Sequence, residues 1–223
     1  MEEQHIVKVL ATEVVTHNVR RIIVQKPAQY NFHSGQATEV AVNKPDWKNE
    51  KRPFTFTSLG HNENLEFTIK VYDDHHGVTE QIGHLKEGDE LILHDVWGTI
   101  TYDGPGYFIA GGAGVTPFIS IFRMLEHDNQ LDDHYLLFSN KTEEDIILKC
   151  EFTRMLGDRF VNTLTGEEND RYDHHRIDKT YLREKIHDFH QKFYVCGPKQ
   201  FVKDIRKHLT ELGANSEAVV FEK

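Results

Sequence analysis

Gly111-Gly112-Ala113-Gly114-Val115-Thr116-Pro117 is the stretch on which the reading of this chain turns. A short apolar run at residues 107–110 precedes it. Residues 116–126 follow, with Phe118, Ile119, Phe122 and Leu125 at helical spacing. Strand, tight turn and helix are therefore expected in that order. Adjacent glycines let the backbone turn sharply and let a ligand approach the main chain. Thr116 is placed to cap the helix, and Pro117 suits its first position. A helix start of this kind presents N–H groups and a positive dipole end, a seat for the pyrophosphate of a dinucleotide. The plain alternative is a tight turn with no ligand. Pro117 stands where the common dinucleotide fingerprint has its last glycine, which points away from the ordinary dehydrogenase domain.

Working outward, strands and helices alternate after the turn. Strands are expected at residues 134–138, 160–164, 192–196 and 218–221, with helices at 149–156, 180–186 and 198–212. Such alternation implies βαβ units and a parallel sheet. Before the turn the texture differs. Residues 5–15, 20–25, 38–42, 54–58, 65–71 and 90–95 are β-branched and aromatic runs separated by turn residues, with one short helix near 79–85. These read as a small antiparallel β-barrel or sandwich. Asp103-Gly104-Pro105-Gly106 marks the change. The expected organisation is a barrel domain over residues 1–102, a linker at 103–106 and an α/β parallel-sheet domain over 107–223.

Composition narrows the function. The formal charge is −10, and each side of a cut after Tyr102 carries −5, so no basic half speaks for nucleic acid. No apolar run is long enough to cross a membrane. The acidic start, Met1-Glu2-Glu3-Gln4-His5, lacks the layout of a signal peptide. Two cysteines, Cys150 and Cys196, suggest reduced thiols and a cytoplasmic protein, here taken as a monomer without membrane insertion. The fifteen histidines include His75-His76 and His174-His175, which sit in polar stretches without a ligand pattern, so no metal is expected.

Arg52-Pro53-Phe54-Thr55-Phe56-Thr57-Ser58 is unusual for a half-buried strand. Arg52 offers a planar fork suited to phosphate, Phe54 a ring face, and Thr55 and Thr57 hydroxyls. Read without context, it is equally an aromatic barrel strand beginning with an exposed arginine.

Taken together, these segments resemble the ferredoxin–NADP reductase superfamily, in the right order and from about His5 to the C-terminus. The resemblance implies an FAD-binding barrel followed by a pyridine-nucleotide domain. Arg52-Pro53-Phe54-Thr55 is similar to the family's Arg-x-Tyr-Ser/Thr flavin motif, with phenylalanine for tyrosine. It implies that Arg52 meets FAD phosphate, Phe54 packs on the flavin ring and Thr55 bonds near N5, with Thr57 and Val71 also lining the flavin. Gly77-Val78-Thr79 looks like the family's pyrophosphate turn, with an ordinary helix cap as its alternative. FAD is implied over FMN.

Gly112, Gly114, Val115, Thr116 and Pro117 match the family's nucleotide loop. Cys196-Gly197-Pro198 resembles its Cys-Gly-Pro motif, where the cysteine lies beside the reacting rings. The run from Phe138 through Asn140, Lys141 and Asp145 to Lys149 is like one in cytochrome b5 and nitrate reductases. Asp145 would repel a ribose 2′-phosphate and Lys141 would attract one, so the choice between NADH and NADPH leans to NADH. Glu143, Glu144 and Asp145 could equally be solvated first-turn acids. Phe221 is either a flavin cover or core.

The resemblance implies an NAD(P)H-dependent flavoprotein reductase with Thr55 and Cys196 as catalytic candidates, the Arg52 strand and the glycine turn facing a shared cleft. Two cysteines cannot ligate a plant-type [2Fe–2S] cluster, so the one-electron acceptor is expected to be a separate protein such as ferredoxin or flavodoxin. Reduction of free flavin, or a non-catalytic nucleotide-sensing or relay subunit, are the competing expectations.

Overall fold

The structure, a computed structural model, describes residues 4–74, 76–98 and 100–221. Residues 1–3, His75 of the first histidine pair, and Glu222 and Lys223 of the C-terminal run lie outside the described residues. By contacts the chain divides into two compact units. One comprises Met1–Thr99 with Thr116–Met124; the other comprises Ile100–Val115 with Leu125–Lys223.

The first unit is built from β1 (His5–Thr16), β2 (Val19–Gln25), β3 (Gln36–Val42), β4 (Arg52–Thr55), β5 (Asn64–Lys70) and β6 (Glu90–Gly98). Their order is β4-β3-β6-β1-β2-β5, and the neighbours run antiparallel. Alternation sends Ile22 and Val24 of β2, and Leu65, Phe67 and Ile69 of β5, to a common interior. The two ends of the sheet meet where Phe56 bridges Phe67 and the Thr57 N–H donates to the Glu66 carbonyl at 2.8 Å. This closes a barrel. The strand expected at 54–58 is divided in consequence: regular pairing with β3 ends at Thr55, and the next two residues turn to β5.

Phe56 sits at the centre of the aromatic packing, stacked on Phe32 at 4.1 Å and tilted against Phe67 at 5.2 Å between centroids. The short helix α1 (Val78–Gly83) adds Val78 and Ile82 to the same core. Helix α2 (Thr116–His127) contributes its first nine residues, through Met124, to this unit. Its Arg123 donates to the Thr57 carbonyl at 2.8 Å and to Glu66 at 2.6 Å.

The second unit holds a parallel sheet of β7 (Gly106–Gly111), β8 (His134–Asn140), β9 (Phe160–Leu164), β10 (Lys192–Cys196) and β11 (Val219–Phe221), in the order β11-β10-β7-β8-β9. Helices α3 (Lys149–Leu156), α4 (Lys179–Lys185) and α5 (Lys199–Glu211) lie in the connections from β8 to β9, β9 to β10 and β10 to β11, and α2 in that from β7 to β8. Tyr107, Ile109, Phe193 and Val195 face α4 and α5, where Tyr181, Leu182, Ile205 and Leu209 meet them. The fold is therefore an antiparallel barrel followed by an α/β parallel sheet, as the sequence patterning indicates.

Truncating Phe56 to alanine removes a fully buried ring that touches three other aromatic side chains. We expect a loss of about 3–5 kcal/mol in unfolding free energy, measured by urea denaturation; a loss below about 1 kcal/mol would contradict this packing.

Candidate functional site

The strand order of the second unit sets where a ligand can bind. From β7 the chain runs outward through β8 and β9, then returns to β10 on the opposite side of β7. The crevice beyond the carboxyl ends of β7 and β10 is thus a topological switch point, the usual ligand position in open parallel sheets.

Two loops shape that crevice. After β7, residues Gly112–Val115 form a 3₁₀ turn that runs directly into α2 at Thr116. The helical run therefore starts four residues before the expected cap. Thr116 lies inside it as the first residue of α2, and the positive φ of Gly112, 54°, makes the sharp turn out of β7 that a glycine permits. After β10 comes Gly197, then Pro198 as the N-cap of α5. The loops touch backbone to backbone. A Cβ on Gly114 would fall 2.5 Å from the Cys196 carbonyl carbon and 2.5 Å from the Gly197 Cα, so only glycine fits. A Cβ on Gly112 would meet nothing within 4 Å. The turn is consequently packed on one side and open on the other, which is what close approach of a phosphate requires.

Cys196 ends β10 and is 2% exposed. In register it pairs with Ala110, and Ala110 pairs with Phe138. Asn140, two residues beyond Phe138, projects to that same face of the sheet. It is 5% exposed, and both atoms of its amide are buried with no hydrogen-bond partner among the described residues. Its backbone carbonyl is satisfied by Thr165. An unpaired buried amide costs about 1–3 kcal/mol, and this one lies at a strand end beside the crevice. Asn162, opposite Phe138 on β9, adds a second buried amide oxygen without a partner. Sequence reasoning passed over Asn162; the signal was a lone amide within Phe-Val-Asn-Thr-Leu.

The acidic turn after β8 is engaged both within itself and with neighbouring segments. Asp145 accepts from the Thr142 N–H at 3.1 Å and from its hydroxyl at 3.0 Å, forming a capping box. Glu143 binds Lys149 at 2.6 Å, Tyr172 at 3.2 Å and Arg171. The Lys149 hydrogen bond holds the Glu143 carboxyl below the usual carboxylate range. Lys141 is exposed.

In the first unit, β4 lies at the end of the strand order. Arg52 is exposed there, its guanidinium donating to the Lys51 carbonyl at 2.6 Å and lying 4.0 Å from Glu50. Phe54 is half-buried and packs against the barrel core. Thr55 is 9% exposed, and its hydroxyl makes no hydrogen bond among the described residues. A strand carrying an accessible guanidinium, a half-covered ring and an unengaged hydroxyl fits the phosphate, ring and polar edge of a flavin nucleotide.

The other members of the expected flavin set stand differently. Thr57 is fully buried and its hydroxyl donates to Glu66 at 2.8 Å, so it supports the barrel instead of offering that proton to a ligand. Val71 is buried where a Cβ on Gly83 would meet its side chain at 2.8 Å, which places it beneath α1. Gly77 is the extended N-cap of α1, without a side-chain cap, and Val78 is buried. Thr79 lies inside that helix. Phe221, on the edge strand β11, has the Arg206 guanidinium 3.6 Å from its ring centroid and packs against the α4–α5 core. Among the described residues no three His, Cys, Asp or Glu side chains converge as a metal needs, and no helix is long and apolar enough to cross a membrane.

Comparison with known proteins matches both parts of the chain to domain families. Residues 4–105 match the FAD-binding domain family, and residues 108–207 match the oxidoreductase NAD-binding domain family. The chain is 33% identical over 141 residues to a flavohemoprotein of Candida albicans, covering 56% of this chain and 35% of that protein. It is 29% identical over 140 residues to a flavodoxin/ferredoxin–NADP reductase of Rhodobacter capsulatus, covering 60% and 50%. The chain thus spans half or less of the length of these relatives. A ferredoxin NADP+ reductase from Neisseria gonorrhoeae, solved with bound FAD and NADP, superposes with a TM-score of 0.82 at 21% identity, covering 94% of this chain and 92% of that one.

The two glycines of the turn should respond differently to alanine. Gly114→Ala forces the loops apart and should lower the melting temperature by several degrees, whereas Gly112→Ala meets open space and costs only about 1 kcal/mol of backbone strain. Thermal unfolding of both variants measures this, and equal shifts would contradict the close approach.

Proposed function

The chain is a member of the ferredoxin–NADP reductase superfamily, and from that premise we propose that it oxidises NADH and delivers the electrons singly, through FAD, to a separate acceptor protein. The observation that carries the proposal is the packed glycine turn at the switch point, with the unpartnered amide of Asn140 beside it.

When bound, FAD supplies the conversion between a hydride donor and one-electron acceptors. The protein's contribution is position and exclusion of water. In this reading FAD is held within residues 1–102 and the dinucleotide within 107–223, joined at 103–106. Arg52 places its charge on a flavin phosphate, Phe54 lends a ring face, and Thr55 directs its free hydroxyl to the polar edge of the ring. Gly112, Gly114, Val115, Thr116 and Pro117 seat the dinucleotide pyrophosphate. Asn140 gives its amide to the nucleotide, and Cys196, Gly197 and Pro198 line the place of the nicotinamide. Glu143 is neutralised by Lys149 and Arg171, which leaves Glu144 and Asp145 to stand against Lys141, a balance that disfavours an added 2′-phosphate and supports NADH as donor.

The absorption spectrum of the purified protein tests the reading directly. We expect flavin bands that bleach on anaerobic addition of NADH at a lower concentration than of NADPH. A colourless protein that reduces added riboflavin would instead make flavin a substrate.

Two variants separate the roles. Thr55→Ala should slow hydride transfer about tenfold or more in stopped flow while FAD affinity falls less, as expected of a positioning donor; equal effects would refute that role. Asn140→Leu removes the unpartnered amide, so unfolding free energy should hold or rise while NADH binding weakens about tenfold, by calorimetry.

A further inference from the structure

A groove of about 830 Å³ runs along α5 in the second unit, starting at Gly197 beside Cys196. Lys199, Lys203, Arg206 and Lys207 line it, and Val202, Val219 and Phe221 supply its apolar surface. Lysines at i, i+4 and i+8 fall along one side of a helix, spread over about 12 Å. The chain as a whole carries −10, yet these cations are little neutralised. Among the described residues no carboxylate lies within ion-pair distance of Lys199, Lys203 or Arg206. Lys207 reaches only Glu211, at 3.9 Å, and Glu211 is held by Lys179 at 2.8 Å. Arg206 is fixed over the Phe221 ring.

We propose that this groove docks the acidic face of the electron-acceptor protein. The inference rests on the functional reading above and adds where the acceptor is received. A line of cations along a helix matches a row of carboxylates on a protein surface; a small phosphate ligand would need donors converging on one point. The acidic remainder of the chain repels such a partner elsewhere, so the local reversal of sign also orients it. The groove opens at Gly197, next to the cysteine proposed to line the nicotinamide, which brings the partner to the redox end of the sheet.

The test uses a plant-type [2Fe–2S] ferredoxin as probe, with ferredoxin-dependent cytochrome c reduction driven by NADH at low ionic strength. Each NADH oxidised to NAD+ and a proton reduces two ferredoxins by one electron each. The double variant Lys199→Glu, Lys203→Glu should raise KM for ferredoxin about tenfold and lose the salt dependence of the wild type. Its NADH–ferricyanide rate should stay at the wild-type level, which shows that the variant is folded and its redox site intact. A ferredoxin KM within about twofold of wild type overturns the proposal. So does a wild type that reduces ferricyanide but not ferredoxin, or a dimer by sedimentation that the variant dissolves, since a second copy would then fill the groove. If neither NADH nor NADPH reduces ferricyanide with the wild type, the functional reading itself has failed, and the docking site falls with it.

Discussion

The main chain at Gly114 rests against the main chain at Cys196 and Gly197, with no space for a single side-chain carbon between them. Everything at the nucleotide end of the sheet follows from that contact. It needs the parallel pairing of β7 with β10, from Lys192 opposite Gly106 to Cys196 opposite Ala110. It fixes the 3₁₀ turn so that its other side stays open, and it brings Cys196 against Gly114 of that turn. A residue with a Cβ at Gly114 would separate the loops and dissolve the geometry of the turn. The glycine is thus a packing requirement first, and the open side of the turn is its consequence.

Much of the architecture was legible because it is carried by local pattern. The strands at 160–164 and 192–196 and the helix at 149–156 end where the periodicity ends, since turn residues bound them on both sides. The site was legible less evenly. Residue types at Arg52, Phe54 and Thr55 advertise their chemistry, but the same is true of Thr57, whose hydroxyl is occupied by Glu66. Nothing local distinguishes Thr55 from Thr57; the difference arises where the strand leaves β3 and joins β5. Asp145 is a similar case. Its carboxylate stands in a capping box with Thr142, a local use that a charge count alone does not reveal.

What could not be read were the interactions that span long stretches of chain. Arg123 meets Glu66 across 57 residues, and Arg21 approaches the same carboxylate at 3.4 Å. With Thr57 they form a partly buried polar network in the first unit. Breaking one partner of such a network leaves the others uncompensated, so its members depend on one another more than any pair suggests. Only Thr57 of this set carried a reading from sequence, and that reading pointed outward to a ligand. The register of β8 and β9 has the same character: it brings Asn140 and Asn162 to one face of the sheet, and neither strand alone predicts the other's neighbour.

Pro53 lies in β4, the strand at the end of the barrel order, opposite Glu39 of β3. Lacking an N–H, it interrupts the row of donors that an incoming strand from another molecule would need. Regular β4 pairing lasts only four residues, and Phe56 at once joins β5 to close the ring. A segment rich in aromatic and threonine residues, which in isolation would favour intermolecular β stacking, is thereby kept from templating aggregation. The proline guards colloidal behaviour at a strand whose flank, at Arg52 and Pro53, is exposed.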